Sequence, residues 1–381
     1  MSTPVCLSPG TIAYPQGAGH LWAYLNWALS LRAAGCRVLW LEDVGGLLAG
    51  GSVAEATAAA ETLAAALERF GLGGALALTD FRGEPVPAAL AAGRLDLDDV
   101  AAAADLLLDF TYEAPAAVVE RFARTALVDL DPGLLQIGME RRDLRVAPHD
   151  AYVTIGETVG TSTARFGDGG VSWHHTPPPV FLDAWATSPL PADGAYTTVT
   201  NWWGEWIVIG DETVDNEKRT AFLPLLELPG RVAPALELAL TPDEHTLRTD
   251  GVLLEEHGWT VRDAWAACGS PEAYRDYIRG SRGELSAAKA SCRLLANAWV
   301  SDRTVCYLAS GRPAIVEHTG PSRFLPDAEG LLRFTGVEEA AAAVRAVEED
   351  PVRHARAARA LAEEHFDGER LVTRVLERVL A

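Results

Sequence analysis

The chain has 381 residues, of which 49% are hydrophobic and 22% charged, and its formal net charge is −21. That length suits two domains with separate cores, and the composition is that of a soluble globular protein. So acidic a surface repels nucleic acid and anionic membranes, which excludes both as expected partners, and no apolar run approaches membrane-spanning length.

No charged segment followed by an apolar one opens the chain, so no targeting leader is expected. Cys6, Cys36, Cys268, Cys292 and Cys306 are scattered, odd in number and without a CxxC pair. That spacing argues against a disulfide framework or structural zinc and fits a reducing cytoplasm. Arginine replaces lysine almost throughout, as in a high-GC bacterial chain, and the lysines are Lys218 and Lys289. A retained lysine marks a place where a compact point charge is needed, or a chance surface survival.

In chain order, a short strand at Pro4–Leu7 leads into the small-residue loop Tyr14-Pro15-Gln16-Gly17-Ala18-Gly19. His20 follows, and Leu21, Trp22, Leu25, Ala28 and Leu31 predict an amphipathic helix closed by Gly35. Arg37–Glu42 is the next strand, completing a β-α-β unit whose turn lacks the GxGxxG pattern of a dinucleotide site. At the turn into a helix, His20 is a candidate general base for a hydroxyl, or else a capping or solvated histidine. Beyond it come a helix at 53–70, a strand at 76–78, a helix at 97–104, and apolar strands at 106–110 and 126–129. The last runs into Asp129-Leu130-Asp131-Pro132-Gly133. Its carboxylates can orient His20 or bind sugar hydroxyls, and Asp before Pro-Gly also simply makes a turn. A further strand spans 151–155.

Strand and helix alternate throughout, which predicts doubly wound parallel sheets. His174-His175 and the prolines from Pro177 to Pro191 read as a bridge, so the boundary falls near residue 190 and the domains are 1–190 and 191–381. Without accompanying carboxylates, the two histidines are not expected to bind metal. The second half opens on a strand at 196–200 ending in Asn201-Trp202-Trp203-Gly204, whose indoles line a pocket or form a satellite core. Lys218 heads a helix. Strands near 235–240 and 259 follow, with helices at 244–248 and 270–279 between and after them.

The stretch from Gly283 to Pro326 carries the strongest chemistry. Ser301-Asp302 caps a helix that Gly311 closes, and Ala314-Ile315-Val316 is a strand ending in Glu317-His318-Thr319-Gly320. A capped helix N-terminus beside Arg303 suits a phosphate, and the carboxyl edge of an open α/β sheet is where ligands bind. Arg279, Arg282, Lys289, Arg293, Arg303, Arg312 and Arg323 make the stretch basic, either as a local anion site or as ordinary helix-surface charge. A strand at 331–334 and helices at 337–349, 351–365 and 367–380 close the chain, the last two expected to pack back on the domain junction.

Two doubly wound domains in tandem, a Gly19-His20 opening and a late phosphate-type helix resemble the GT-B glycosyltransferase fold, two Rossmann-like domains facing a cleft. The Gly19-His20 segment with Leu31-Arg32-Ala33-Ala34-Gly35 looks like the N-terminus of nucleotide-sugar glycosyltransferases, several of which use that His as the base. Cys306-Tyr307-Leu308-Ala309-Ser310-Gly311-Arg312-Pro313 is similar to the Glu-Ala-Met-Ala-x-Gly-x-Pro of another glycosyltransferase group. There the first residue is a donor-binding Glu, and Cys306 in its place argues against a retaining, two-Glu site. Gly283–Lys289, Ser301–Pro313, His318-Thr319-Gly320 and Val128–Gly133 with Gln136 further resemble bacterial glycosyltransferase-like proteins, over most of the chain.

The resemblance implies a hexosyltransferase, inverting if His20 is the base, that moves a sugar from a nucleotide-diphosphate donor to a small-molecule hydroxyl, natural products included. Glu284, Ser286, Lys289, Ser301, Asp302, Arg303, Thr319 and Gly320 would hold the donor. His20, oriented by Asp131, would act on an acceptor beside Gly19, Trp202 and Trp203. The nucleotide sugar is a substrate, and no cofactor or metal is expected; the chain acts alone or as a homodimer. A nucleotide-sugar epimerase of the same fold and a non-catalytic GT-B-like partner protein are the alternative readings.

Overall fold

Two open parallel sheets organise the residues described by the computed structural model, 3–241 and 244–381. They belong to two compact units: one comprises the chain through Ile155 with Gly167–Pro179 and Gly368–Ala381, the other Gly156–Phe166 and Val180–Asp367. Residue 190, the expected boundary, lies inside the second unit, and the chain returns to the first for its last helix.

The first sheet contains β1 (Pro4–Ser8), β2 (Arg37–Asp43), β3 (Leu76–Thr79), β4 (Leu95–Asp96), β5 (Leu106–Asp109), β6 (Thr125–Asp129), β7 (Ala151–Thr154) and β8 (Trp173–His175). Their order is β4-β3-β2-β1-β5-β6-β7-β8, every neighbouring pair parallel. β4 and β8 are too short for sequence periodicity to reveal. His174 and His175, read as part of a bridge, are the end of an edge strand. The order reverses between β1 and β5, so the loops that follow these strands open the crevice where such sheets take ligands.

The helix Ala18–Ala33 leaves β1 and is buried on nearly all sides, from Leu21 and Trp22 through Trp27 to Leu31. The expected solvent-facing stripe is absent because the terminal helix Gly368–Leu380 packs against it. A helix apolar all round is one covered on both faces. Only a partner some 340 residues away in sequence supplies the second cover.

The second unit holds β9 (Tyr196–Thr200), the antiparallel hairpin β10 (Trp206–Ile209) and β11 (Glu212–Asp215), then β12 (Leu236–Leu240), β13 (Thr260–Asp263), β14 (Gly283–Ser286), β15 (Ala314–Glu317) and β16 (Leu331–Phe334). Its parallel sheet runs β13-β12-β9-β14-β15-β16 and reverses between β9 and β14. The helix Asp302–Ala309 joins β14 to β15. Ser301 caps it by accepting the Arg303 amide at 3.2 Å. At its other end Gly311 takes φ +67°, so that the amides of Gly311 and Arg312 reach back to Leu308 and Tyr307. That is a Schellman closure, which a β-carbon would strain. Among the described residues no helix is long and apolar enough to cross a membrane.

Candidate functional site

In the second unit a recess lies at the carboxyl ends of β14 and β15, against the start of the helix Asp302–Ala309. Ser286, Trp299, Ser301, Arg303, Glu317 and Arg333 line it. The enclosed space is only about 20 Å³, roughly what one water or one phosphate oxygen fills, so a larger ligand would extend beyond it.

Arg303 is the centre of the lining. Its Nε donates to Glu284 Oε1 at 2.8 Å, Nη1 to the Val199 carbonyl at 3.0 Å, and Nη2 to Ser286 Oγ at 2.6 Å. Glu284 has no exposed surface. It is therefore the counter-charge beneath Arg303 rather than a ligand for sugar hydroxyls, because the guanidinium lies over it. Burial is the largest single influence on Arg303 and lowers its pKa, but the charge and hydrogen bond of Glu284 together with Tyr274 and Tyr307 outweigh it, and the net direction is upward. Two guanidinium hydrogens remain for a ligand after the three bonds are made.

Further cations stand close by. Lys218 is buried and donates from Nζ to the Ala287 carbonyl. Burial first, then the charges of Arg303 and Lys289, push its pKa down to about 7, against Cys292 and Glu284. Lys289 caps the short helix Ala290–Leu295 with its backbone and is half-buried. Arg333 lines the recess, and burial lowers its pKa despite Asp327 and Glu157. Glu317 is the acid of the lining. Burial raises its pKa against Arg293, 3.5 Å away, and the Ala288 amide, which it accepts at 2.8 Å.

The other expected donor residues serve the frame. Ser301 Oγ is engaged in capping its helix. Asp302 puts a negative charge in that helix's first turn, where a phosphate would otherwise be favoured. Thr319 borders the recess, donating its hydroxyl to the Trp299 carbonyl at 2.8 Å. Gly320 takes φ +119°, and a β-carbon there would lie 2.6 Å from the Ala296 carbonyl oxygen, so this position excludes any side chain. Trp202 is not a pocket residue: it is buried, stacks on Phe222 and donates its indole N–H to Asp250 at 2.8 Å. Its neighbour Trp203 is partly exposed, bonded to Thr246 and faced by Arg219. Much of the basic stretch is structural too. Arg312 is buried and tied to Arg279 and Ser188 carbonyls, Arg282 pairs with Glu348, and Arg323 with Glu157. Cys306 lies inside its helix with Sγ directed at the Asp302 carbonyl.

In the first unit, Gly19 and His20 occupy the first turn of the helix Ala18–Ala33 at the β1–β5 reversal. The His20 ring meets Tyr24 edge-on with centroids 5.0 Å apart, and solvent reaches its outer side. Crowding by protein atoms lowers its pKa, against the Gly10 carbonyl and the Asp131 charge. The neutral, proton-accepting form is therefore favoured near pH 7. Asp131 is exposed and accepts from the Tyr112 hydroxyl at 3.2 Å, while that same oxygen accepts the Leu130 amide at 2.7 Å. Asp131 thus influences His20 through its charge. Asp129 is fully buried, and its pKa is pushed up to about 7, with Gln136 and Thr154 donating to it.

Glu42, near the end of β2, fixes the loop before His20. Its carboxylate accepts the Thr11 amide at 3.0 Å, the Ile12 amide at 3.1 Å, the Trp40 indole at 2.7 Å and the Thr11 hydroxyl. Glutamine there would turn an amide N–H toward these donors, leaving one unsatisfied at a cost of about 1–3 kcal/mol. Glu42→Gln is expected to lower stability by that amount and to speed hydrogen exchange at Thr11 and Ile12, read by mass spectrometry. Unchanged exchange would show that the loop is held by other means. Lys218, Arg333 and Tyr112 also escaped prediction as site residues. Of these only Lys218 carried a sequence signal, as one of the retained lysines.

No protein-family model matches the chain, and no curated protein matches its sequence. Solved structures do resemble it. Anabaena HepE in complex with UDP and glucose has a TM-score of 0.60 at 14% identity, and its complex with UDP 0.57 at 14%, each alignment covering 99% of both chains. A glycosyltransferase from Rickettsia africae has a TM-score of 0.53 at 10% identity, over 99% of this chain and 98% of that one. At these identities the likeness speaks for the fold: two Rossmann-like units in one chain.

Proposed function

We propose that this chain, which has the GT-B fold, is a glycosyltransferase that moves a sugar from a nucleotide-diphosphate donor to a hydroxyl of a small-molecule acceptor. The observation that carries this reading is the gathering of Arg303, Lys218, Lys289 and Arg333 at one sheet edge of a chain with net charge −21. Cations fixed around the recess stabilise the charge that develops on a departing diphosphate, the largest contribution such a site makes. In this reading Glu317 and Trp299, which line the recess, meet the donor beyond its phosphates. HepE was solved with UDP and with UDP-glucose, which makes uridine diphosphate sugars the first donors to test.

His20 is assigned proton removal from the acceptor hydroxyl, with inversion at the sugar carbon, and Asp131, held by the Tyr112 hydroxyl, shapes its field. Replacing it by alanine is expected to lower kcat by about 10²–10⁴-fold with UDP affinity unchanged. In the unmodified protein, kcat/KM should fall as pH drops through a value below 6.5, since the base must be unprotonated. An acid limb that persists in His20→Ala would move the base elsewhere. The overall reading is tested by calorimetric titration with nucleoside diphosphates and by mass spectrometry of transfer or donor hydrolysis. Failure of every nucleoside diphosphate to bind would overturn it.

A further inference from the structure

His174 and His175 have no part in that mechanism, yet they border a second concavity within the first unit. A cavity of about 360 Å³ lies between β8 and the helix Gly368–Leu380, a size typical of small-ligand sites. Trp173, Leu371 and Val375 form apolar walls, and His174, Arg374 and Arg378 are the charged or chargeable groups beside them. With His175, every titratable side chain of the lining is basic; no Asp or Glu contributes. That is a marked local reversal in a chain of net charge −21.

The details favour a ligand over a packing accident. Arg374 and Arg378 are four residues apart and exposed on one helix face, an arrangement that costs a few tenths of a kcal/mol without an anion between them. Arg374 makes no hydrogen bond or ion pair among the described residues. Arg378 donates from Nε to His174 Nε2 at 3.4 Å, which in the neutral ring leaves the proton on Nδ1. The Trp173 indole is held by its N–H to the Asp168 carbonyl at 2.7 Å and by edge contact with Tyr152 at 5.5 Å. A ring fixed in this way offers a flat wall without losing freedom on binding.

We propose that this cavity is a second binding site, for a small organic anion that carries a flat apolar group and a terminal phosphate or carboxylate. The apolar group packs on Trp173, Leu371 and Val375, and the anion bridges the Arg374 and Arg378 guanidinium groups. The site is independent of the donor recess and of the reading given to it.

Calorimetric titration of the full chain, saturated beforehand with UDP, tests this with phenyl phosphate, benzoate and inorganic phosphate as probes. Phenyl phosphate or benzoate should bind more tightly than inorganic phosphate, and whichever binds better identifies the anion. The double variant Arg374→Gln/Arg378→Gln should weaken that binding by about tenfold or more. Its melting temperature should not fall appreciably, because both side chains are exposed and their mutual repulsion is removed with them. Trp173→Phe should retain binding and Trp173→Ala should weaken it. Equal affinity in the double variant and the unmodified protein, or no affinity for either aromatic anion, would overturn the proposal.

Discussion

Arg303→Gln is expected to lose nucleoside-diphosphate binding and, at the same time, to destabilise the second unit by about 3–5 kcal/mol. The two losses have one origin. Glu284 is wholly buried, Arg303 is its counter-charge, and the second Glu284 oxygen has no hydrogen-bond partner in the structure. Removing the guanidinium leaves an uncompensated carboxylate in the interior, which is far worse than never having had the pair. Destabilisation alone would make a binding defect ambiguous, so the informative protein is the double variant Glu284→Gln/Arg303→Gln. Two neutral amides remove the stranded charge, and chemical denaturation should show much of the stability regained. Nucleotide affinity should not return, because no cation then faces the recess from this position. If the double variant binds UDP as the unmodified chain does, Arg303 is an internal strut and the donor phosphates lie elsewhere.

The same pair shows where sequence reading stops. The helix Asp302–Ala309 was legible to the residue, because caps and closures are chemistry between near neighbours: Ser301 to the Arg303 amide, Gly311 to Leu308. Parallel strands were legible for a similar reason, as apolar runs set off by turns. Whether Arg303 faces a ligand or a buried acid depends on Glu284, nineteen positions earlier on another element, and no local pattern encodes that. Trp202 and Trp203 make the point from one dipeptide. The bend that follows β9 turns the first into the core against Phe222 and leaves the second at the surface beside Arg219. The covering of the Ala18–Ala33 helix by the terminal helix is a long-range event of the same kind. Glu42 was hidden for the opposite reason: an acid at a strand end usually faces solvent, and only the folded loop supplies its donors.

Lys218→Met is expected to make the protein more stable at pH 6, not less, and to remove a pH dependence that the unmodified chain shows. Buried Lys218 has its pKa lowered from 10.5 to about 7, by burial first and then by Arg303 and Lys289. Between those values the unfolded chain binds a proton that the folded chain lacks, so stability rises with pH across the window. Below about pH 7 both states are protonated and the fold carries the full cost of the buried charge, on the order of 5 kcal/mol. Above 10.5 neither is protonated and the cost is gone. Methionine fills the same volume without a charge, and its only expected loss is the bond to the Ala287 carbonyl, about 1 kcal/mol. The gain of Lys218→Met in chemical denaturation should therefore be largest at pH 6 and shrink as pH rises toward 10. A diphosphate in the proposed site would give a role to a lysine that weakens its own fold. Its negative charge would draw a proton onto Lys218, so UDP should bind with proton uptake near neutral pH and less tightly as pH climbs above 7. Calorimetry in buffers of different ionisation enthalpy reads that proton directly, and Lys218→Met should abolish both the uptake and the pH slope. A variant that is less stable at pH 6, or that binds UDP with an unchanged pH slope, would show that Lys218 stays charged in the fold and does not serve the phosphates.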